Sequence, residues 1–138
     1  MGRILAIDFG SKKTGLAVTD PRGIIAQPLD TIATDRLMAF LKDYVPREEV
    51  HCIVVGEPSD YNGDPAPIVE QIENFVRGIE KRFPEVLIEI FDESLSSREA
   101  RKTMLLSGLG RKKRADKWRV DRVAATIMLQ EYLEDRSA

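Results

Sequence analysis

Ile4-Leu5-Ala6-Ile7-Asp8-Phe9-Gly10-Ser11-Lys12-Lys13-Thr14-Gly15-Leu16-Ala17-Val18 holds two short apolar runs joined by a polar, glycine-bearing link. Each run is too short for a surface helix and has the length of a strand. The link is short enough for an antiparallel hairpin. Asp20-Pro21-Arg22-Gly23 is a second turn-rich separator, and Ile24–Ala26 a third apolar run. The chain is therefore expected to open as three meandering strands, with Asp8 at the end of the first.

The period then changes. Thr34 can cap a helix that keeps Leu37, Met38, Leu41 and Val45 on one face. Cys52–Val55 reads as a fourth strand. Asn62-Gly63 marks a turn, and Asp64-Pro65 resembles a helix start. Ile68, Ile72, Phe75, Val76, Ile79 and Phe83 form a helical stripe that Pro84 stops. Val86–Phe91 is a nearly apolar fifth strand, expected to be covered on both faces. Ser96 with Glu99 has the form of a capping box, and the helix it opens should run to Gly108. A basic stretch, Gly108–Arg114, precedes a last helix from about Asp116 to Leu133. The order is βββαβαβα with a further C-terminal helix, which implies an α/β fold with a five-stranded mixed sheet and helices on both faces. No repeat or internal boundary interrupts residues 1–138, so a single domain is expected.

Composition narrows the function classes. The chain has 138 residues, ordinary apolar and charged fractions and one cysteine, Cys52. A lone cysteine in an apolar run fits a reducing compartment and forbids an internal disulfide. No apolar run is long enough to span a membrane, and the N-terminus lacks the regions of a signal peptide. A cytoplasmic protein without a membrane partner is expected. Formal net charge is −2, but it is unevenly spread. Arg98 to Arg122 holds ten Lys/Arg against three acids; the remainder holds eleven against twenty. Such a segment can be a solvated face or a phosphate-attracting surface.

Three acidic positions draw attention by placement. Asp8 ends one strand, Asp92 and Glu93 end another, and Asp121 borders the apolar arc of the last helix beside Ala124, Ala125 and Met128. Carboxylates at core margins are costly unless paired or bound to metal, and ligands gather at strand ends in α/β sheets. If these acids converge, they form a hard-oxygen site suited to Mg²⁺ or Mn²⁺, ions that can activate water and stabilise a leaving oxygen in phosphodiester cleavage. Plainer readings stand beside this one. Asp8 could be a turn residue ahead of Gly10, Asp92 or Glu93 could cap or salt-bridge, and Asp121 could pair with Lys117 one helical turn earlier.

Other chemistries fit less well. Gly10–Gly15 has the spacing of a P-loop, but Leu16-Ala17 follows where Lys-Ser/Thr is required. An actin-like phosphate loop would need a second domain. The two glycines are better explained by hairpin geometry and close backbone approach. His51 and Cys52 have no further His or Cys to complete a zinc site or a nucleophilic pair. Trp118 could stack on a base or simply pack.

Four stretches in register resemble the YqgF/RuvX family: Ile4–Val18; Ile53-Val54-Val55-Gly56 with Pro58 and Asn62-Gly63; Asp92-Glu93-Ser94-Leu95-Ser96-Ser97; and Val120–Gln130. The resemblance implies an RNase H-like fold. It also implies a nuclease related to Holliday-junction resolvases, a hydrolase of ester bonds that matures the 5′ end of pre-16S rRNA during ribosome biogenesis. Family acidic positions map to Asp8, Glu93 and Asp121 as catalytic, Mg²⁺- or Mn²⁺-binding residues; Asp92, beside Glu93, could share its role, and Glu57 is either a surface neighbour of Pro58 or an extra ligand. Ser94 stands where many members have Arg, Ser96-Ser97 replaces a usual Thr-Thr, and Glu57 stands where many have an apolar residue. Lys12, Lys13, Arg98, Arg111, Lys112, Lys113, Arg114, Lys117 and Arg119 are the expected phosphate contacts. Pre-rRNA is the expected partner, with branched DNA as the alternative for a junction resolvase. A resolvase would need a homodimer, whereas an RNA processor could act as a monomer. A non-catalytic RNA-binding maturation factor is the third reading.

Overall fold

A computed structural model describes residues 2–59, 67–94, 100–105 and 117–137, with the backbone alone at 59, 94, 117, 118 and 137. Five strands form one mixed sheet: β1 Arg3–Asp8, β2 Lys13–Thr19, β3 Ala26–Ala33, β4 Val50–Ser59 and β5 Leu87–Ser94. Their order across the sheet is β3-β2-β1-β4-β5. The β1–β2 and β2–β3 pairs are antiparallel, and β1–β4 and β4–β5 are parallel. The helices are α1 Leu37–Arg47, α2 Val69–Arg82, α3 at residues 100–105 and α4 Lys117–Ser137. Among the described residues no helix is long and apolar enough to cross a membrane.

The central strand explains the layering. Ile4, Leu5, Ala6 and Ile7 are all fully buried because β1 is covered on both faces. Side chains alternate along a strand, so the run splits between two cores. Leu5, Ile7 and Phe9 join the layer beneath α1 and α2, with Ile53, Val55, Leu41 and Ile72. Ile4 and Ala6 join Cys52, Val54, Ala125, Met128 and Leu129 beneath α4. By this alternation Asp8 falls on the α4 face.

Several sequence expectations are corrected. The third strand does not contain Ile24 or Ile25; it begins at Ala26 and runs to Ala33. The backbone amides of both isoleucines donate to the Asp20 carboxylate, at 2.8 and 2.7 Å, which closes a turn that Gly23 completes at φ 73°. These amide bonds hold the Asp20 carboxyl below its usual range. β3 is an outer strand, which is why it tolerates polar residues and Pro28, the latter at a register shift opposite Ala17.

β5 is also an outer strand among the described residues, not one covered on both faces. Leu87 is 55 % and Ile90 43 % exposed. Thr34 makes no side-chain cap; a short 3₁₀ turn, Thr34–Arg36, precedes α1 instead. The Thr34 hydroxyl donates to the Gly10 carbonyl at 2.6 Å and lies 2.8 Å from the Thr14 hydroxyl. It therefore ties down the β1–β2 loop rather than a helix end. α2 starts at Val69. The Asn62-Gly63 turn, Asp64-Pro65, the Ser96–Glu99 capping box and the stretch Gly108–Arg114 lie outside the described residues.

Candidate active site

Asp8 stands directly opposite Gly15 in the β1–β2 register. A Cβ on Gly15 would come within 2.1 Å of the Asp121 carbonyl oxygen, so the missing side chain lets α4 rest on β2 at this point. That contact brings Asp121 over the end of β1. Gly10 serves the loop similarly, since a Cβ there would meet the Lys13 carbonyl at 2.2 Å. The two glycines of the opening stretch thus permit close approach, as the sequence suggested.

Among the described residues three carboxylates are buried: Asp8 at 4 %, Asp121 at 6 % and Glu93 at 8 % exposure. Buried charges must be compensated, and cations compensate each of these. Lys102 Nζ lies 3.4 Å from Asp8 Oδ2 and 3.1 Å from Asp121 Oδ1. Lys13 Nζ lies 3.2 Å from Asp121 Oδ2. Glu93 is turned to a different partner. The Arg101 guanidinium donates to Glu93 Oε1 at 2.6 Å and to Glu131 Oε1, on α4, at 2.9 Å. Burial pulls the Arg101 pKa down, but the charges of Glu93 and Glu131 outweigh it and hold the pKa above the ordinary guanidinium value. Consecutive residues point about 100° apart on a helix, so Arg101 and Lys102 reach different acids and α3 spans the cluster.

The structure brings Asp8 and Asp121 to one cation and sets Glu93 beside Arg101 on the same sheet face. As the side chains stand, no group of three or more His, Cys, Asp or Glu among the described residues is ready to enclose a metal ion. Glu57 and Asp92 belong elsewhere. In β4, Ile53 and Val55 pack under α1 and α2, and Glu57 continues that alternation. It is in register with the exposed Asp92 of β5. Partial burial, then the charges of Asp92 and of Glu73 on α2, push the Glu57 carboxyl up. Glu57 and Asp92 therefore lie on the sheet face opposite the Asp8–Asp121 pair, and Glu57 has the surroundings of a surface neighbour of Pro58.

Of the expected phosphate contacts, Lys12 and Arg119 are exposed, whereas Lys13 is engaged with Asp121. Lys117 begins α4; its side chain, like Arg98, Arg111, Lys112, Lys113 and Arg114, lies outside the described residues. Trp118 lies on α4, with its side chain also undescribed. Asp121 pairs with Lys13 and Lys102, neither of them on its own helix. Sequence reasoning counted Arg101 and Lys102 only within the basic segment. Nothing local distinguishes a lysine that faces solvent from one that bridges two distant aspartates.

This geometry has a counterpart among solved structures. The chain is similar to Thermus thermophilus RuvC, solved in complex with a Holliday junction substrate. The TM-score is 0.54 at 15 % identity, over 100 % of this chain and 98 % of that one. The fold is therefore the α/β, RNase H-like architecture. Sequence relationships are closer. A protein of Flavobacterium psychrophilum is 48 % identical over 96 % of this chain and 97 % of its own length. One of Porphyromonas gingivalis is 47 % identical over 98 % of both chains, and one of Bacteroides thetaiotaomicron 45 % over 99 % of both. Each is named as a candidate pre-16S rRNA nuclease. The model of the RuvX family, described as Holliday junction resolvase, matches residues 2–135. The chain belongs to the RuvX family. That membership puts it among nucleases, hydrolases that act on the ester bonds of nucleic acid.

Proposed function

We propose that residues 1–138 form a single-domain, cytoplasmic endonuclease that needs Mg²⁺ or Mn²⁺ and processes the 5′ end of pre-16S rRNA. The observation that carries the metal reading is the buried Asp8–Asp121 pair, which already shares one cation, the Lys102 ammonium, at the C-terminal end of β1. Two carboxylates that accept a compact cation there offer the hard oxygen donors that a divalent ion prefers. Asp8 and Asp121 would hold the ion, and Glu93 would join them on release from Arg101. When bound, such an ion supplies a Lewis acid for the phosphodiester and lowers the pKa of water.

The chain's own residues account for the rest. Gly15 sets the distance between Asp8 and Asp121, and Arg101 orients Glu93. Lys12, Arg119 and the basic segment would track the phosphates, giving salt-sensitive binding with little sequence preference. The choice of pre-rRNA rests on the names of relatives at 43–48 % identity. The test is cleavage of a panel of pre-16S RNA, duplex DNA and four-way junctions with Mg²⁺ or Mn²⁺, wild type against Asp8→Asn. Cleavage of the RNA by wild type alone supports the proposal, and equal activity in both proteins overturns the catalytic assignment.

A second reading, a homodimeric junction resolvase, is favoured by the family description and by the likeness to a resolvase fold. It predicts a dimer by light scattering and preferential cleavage of the four-way junction. A non-catalytic RNA-binding factor would instead bind equally well after Asp8→Asn and cut nothing.

A further inference from the structure

Lys102, like Arg101, belongs to the cluster without being part of any motif or of the family's acidic set. Its ammonium sits between the two aspartates, 3.4 Å from Asp8 Oδ2 and 3.1 Å from Asp121 Oδ1. Asp8 ends β1 and Asp121 lies near the start of α4, so the lysine links two elements far apart in the chain. Its side chain is 28 % exposed, against 5 % and 9 % for the two aspartate side chains. The ammonium therefore covers the pair from the solvent side. Two carboxylates this close repel one another, and a cation between them relieves the repulsion and the cost of burial. A divalent ion entering between Asp8 and Asp121 would meet a charge of its own sign where its oxygen donors converge. Lysine and ion cannot share that point.

We propose that Lys102 is a built-in counter-ion of the Asp8–Asp121 pair, and that a divalent ion binds only by displacing it toward solvent. The inference rests on the metal reading of this site. In the metal-free protein the lysine keeps the two aspartates together and, with Lys13, balances their two negative charges. On metal entry the side chain swings outward from α3 and its ammonium becomes free to meet a phosphate. Lys13, 3.2 Å from the other oxygen of Asp121, is a second cation at that carboxylate and stays there. Occupancy of the site by metal is thus a competition, and metal affinity is set below what the carboxylates alone would give. Glu93 is held in the same resting arrangement by the neighbouring Arg101, so α3 carries both restraints.

Equilibrium Mn²⁺ titration of the full chain, read by the EPR signal of the free ion, tests this without any substrate. Lys102→Met should bind Mn²⁺ at least tenfold more tightly than wild type. Lys102→Arg, which keeps the charge, should bind no more tightly than wild type. Asp8→Asn should bind far more weakly than either. A second measurement needs no substitution at Lys102. Acetylation of Lys102 by an amine-reactive ester, followed by mass spectrometry, should accelerate several-fold when saturating Mg²⁺ is added to wild type, and should not respond to Mg²⁺ in Asp8→Asn. If wild type binds Mn²⁺ but Lys102→Met binds no more tightly, or if Lys102 labelling is unchanged at saturating Mg²⁺, the displacement is wrong while the metal reading survives. If neither wild type nor Lys102→Met binds Mn²⁺, both fall together.

Discussion

Two groups of acids stand at the same end of the sheet, on opposite faces. Beneath α4, Asp8, Asp121 and Glu93 are buried, and each lies within ion-pair distance of a cation from another element. On the α2 face, Glu57 lies in register with Asp92 and feels Glu73 as well, and its carboxyl is pushed up by burial and by these like charges. The strands are shared, and so is the parallel register that aligns their ends. What differs is the covering element. α4 brings an aspartate and packs on a glycine, and α3 adds an arginine and a lysine. α2 brings only another acid toward Glu57. A carboxylate at a strand end therefore acquires a role from what the opposing helices carry, not from its position on the strand.

Substitutions can break or sharpen that contrast. The largest effect is expected for Asp8→Asn, which should lower metal-dependent cleavage on the order of 10²–10³-fold, while Glu57→Gln stays within about twofold in the same assay. A comparable loss in Glu57→Gln would erase the distinction between the faces. Next, Arg101→Ala leaves Glu93 buried without its main cation, and urea denaturation should report a loss of about 3 kcal/mol. Arg101→Met, which keeps most of the volume but not the charge, should show a similar deficit that Glu93→Gln in the same chain largely restores. Gly15→Ala drives a methyl group into the Asp121 carbonyl and should cost about 2 kcal/mol by the same measurement. Cleavage should fall more than the unfolded fraction explains, because Asp121 moves away from Asp8.

The smallest effect concerns pH. The folded-state pKa of Glu57 lies above its ordinary value, so the folded state holds this proton more tightly than the unfolded chain does. The stabilisation is complete below the unfolded pKa and is lost as pH rises through the folded pKa. Glu57→Gln should therefore raise the unfolding free energy from urea denaturation slightly at pH 7 relative to wild type, by no more than about 0.5 kcal/mol, and the difference should vanish at low pH. A drop at pH 7 would mean that ionised Glu57 has a favourable partner.

The order of elements along the chain and the helix faces were largely legible in the residues. The short apolar run Ile4–Ile7 reads as a strand and the stripe from Ile68 to Phe83 as an amphipathic helix, and the structure has β1 and α2 there. Where reading failed, a tertiary contact had taken over a local signal. Ile24 and Ile25 look like strand residues, but Asp20 claims their amides. Thr34 looks like a cap, but its hydroxyl serves Gly10. Val86–Phe91 looks interior, yet β5 is an outer strand among the described residues, and apolar content alone does not report how many neighbours a strand has.

The candidate site divides along the same line. Asp8 and Glu93 drew attention at strand ends and Asp121 at the border of an apolar helix arc, and in-register motifs joined the three to a family. Gly15 was legible as a place of close approach because a glycine inside a strand needs a reason. The partners were not legible. Lys102 and Arg101 are ordinary members of a basic segment until α3 is set across the strand ends, and Glu57 matches Asp8 in placement until the pleat puts it on the other face. Periodicity along a chain reports which residues are buried. Which charges meet is decided by distances between elements, and those exist only once the sheet and its helices have packed.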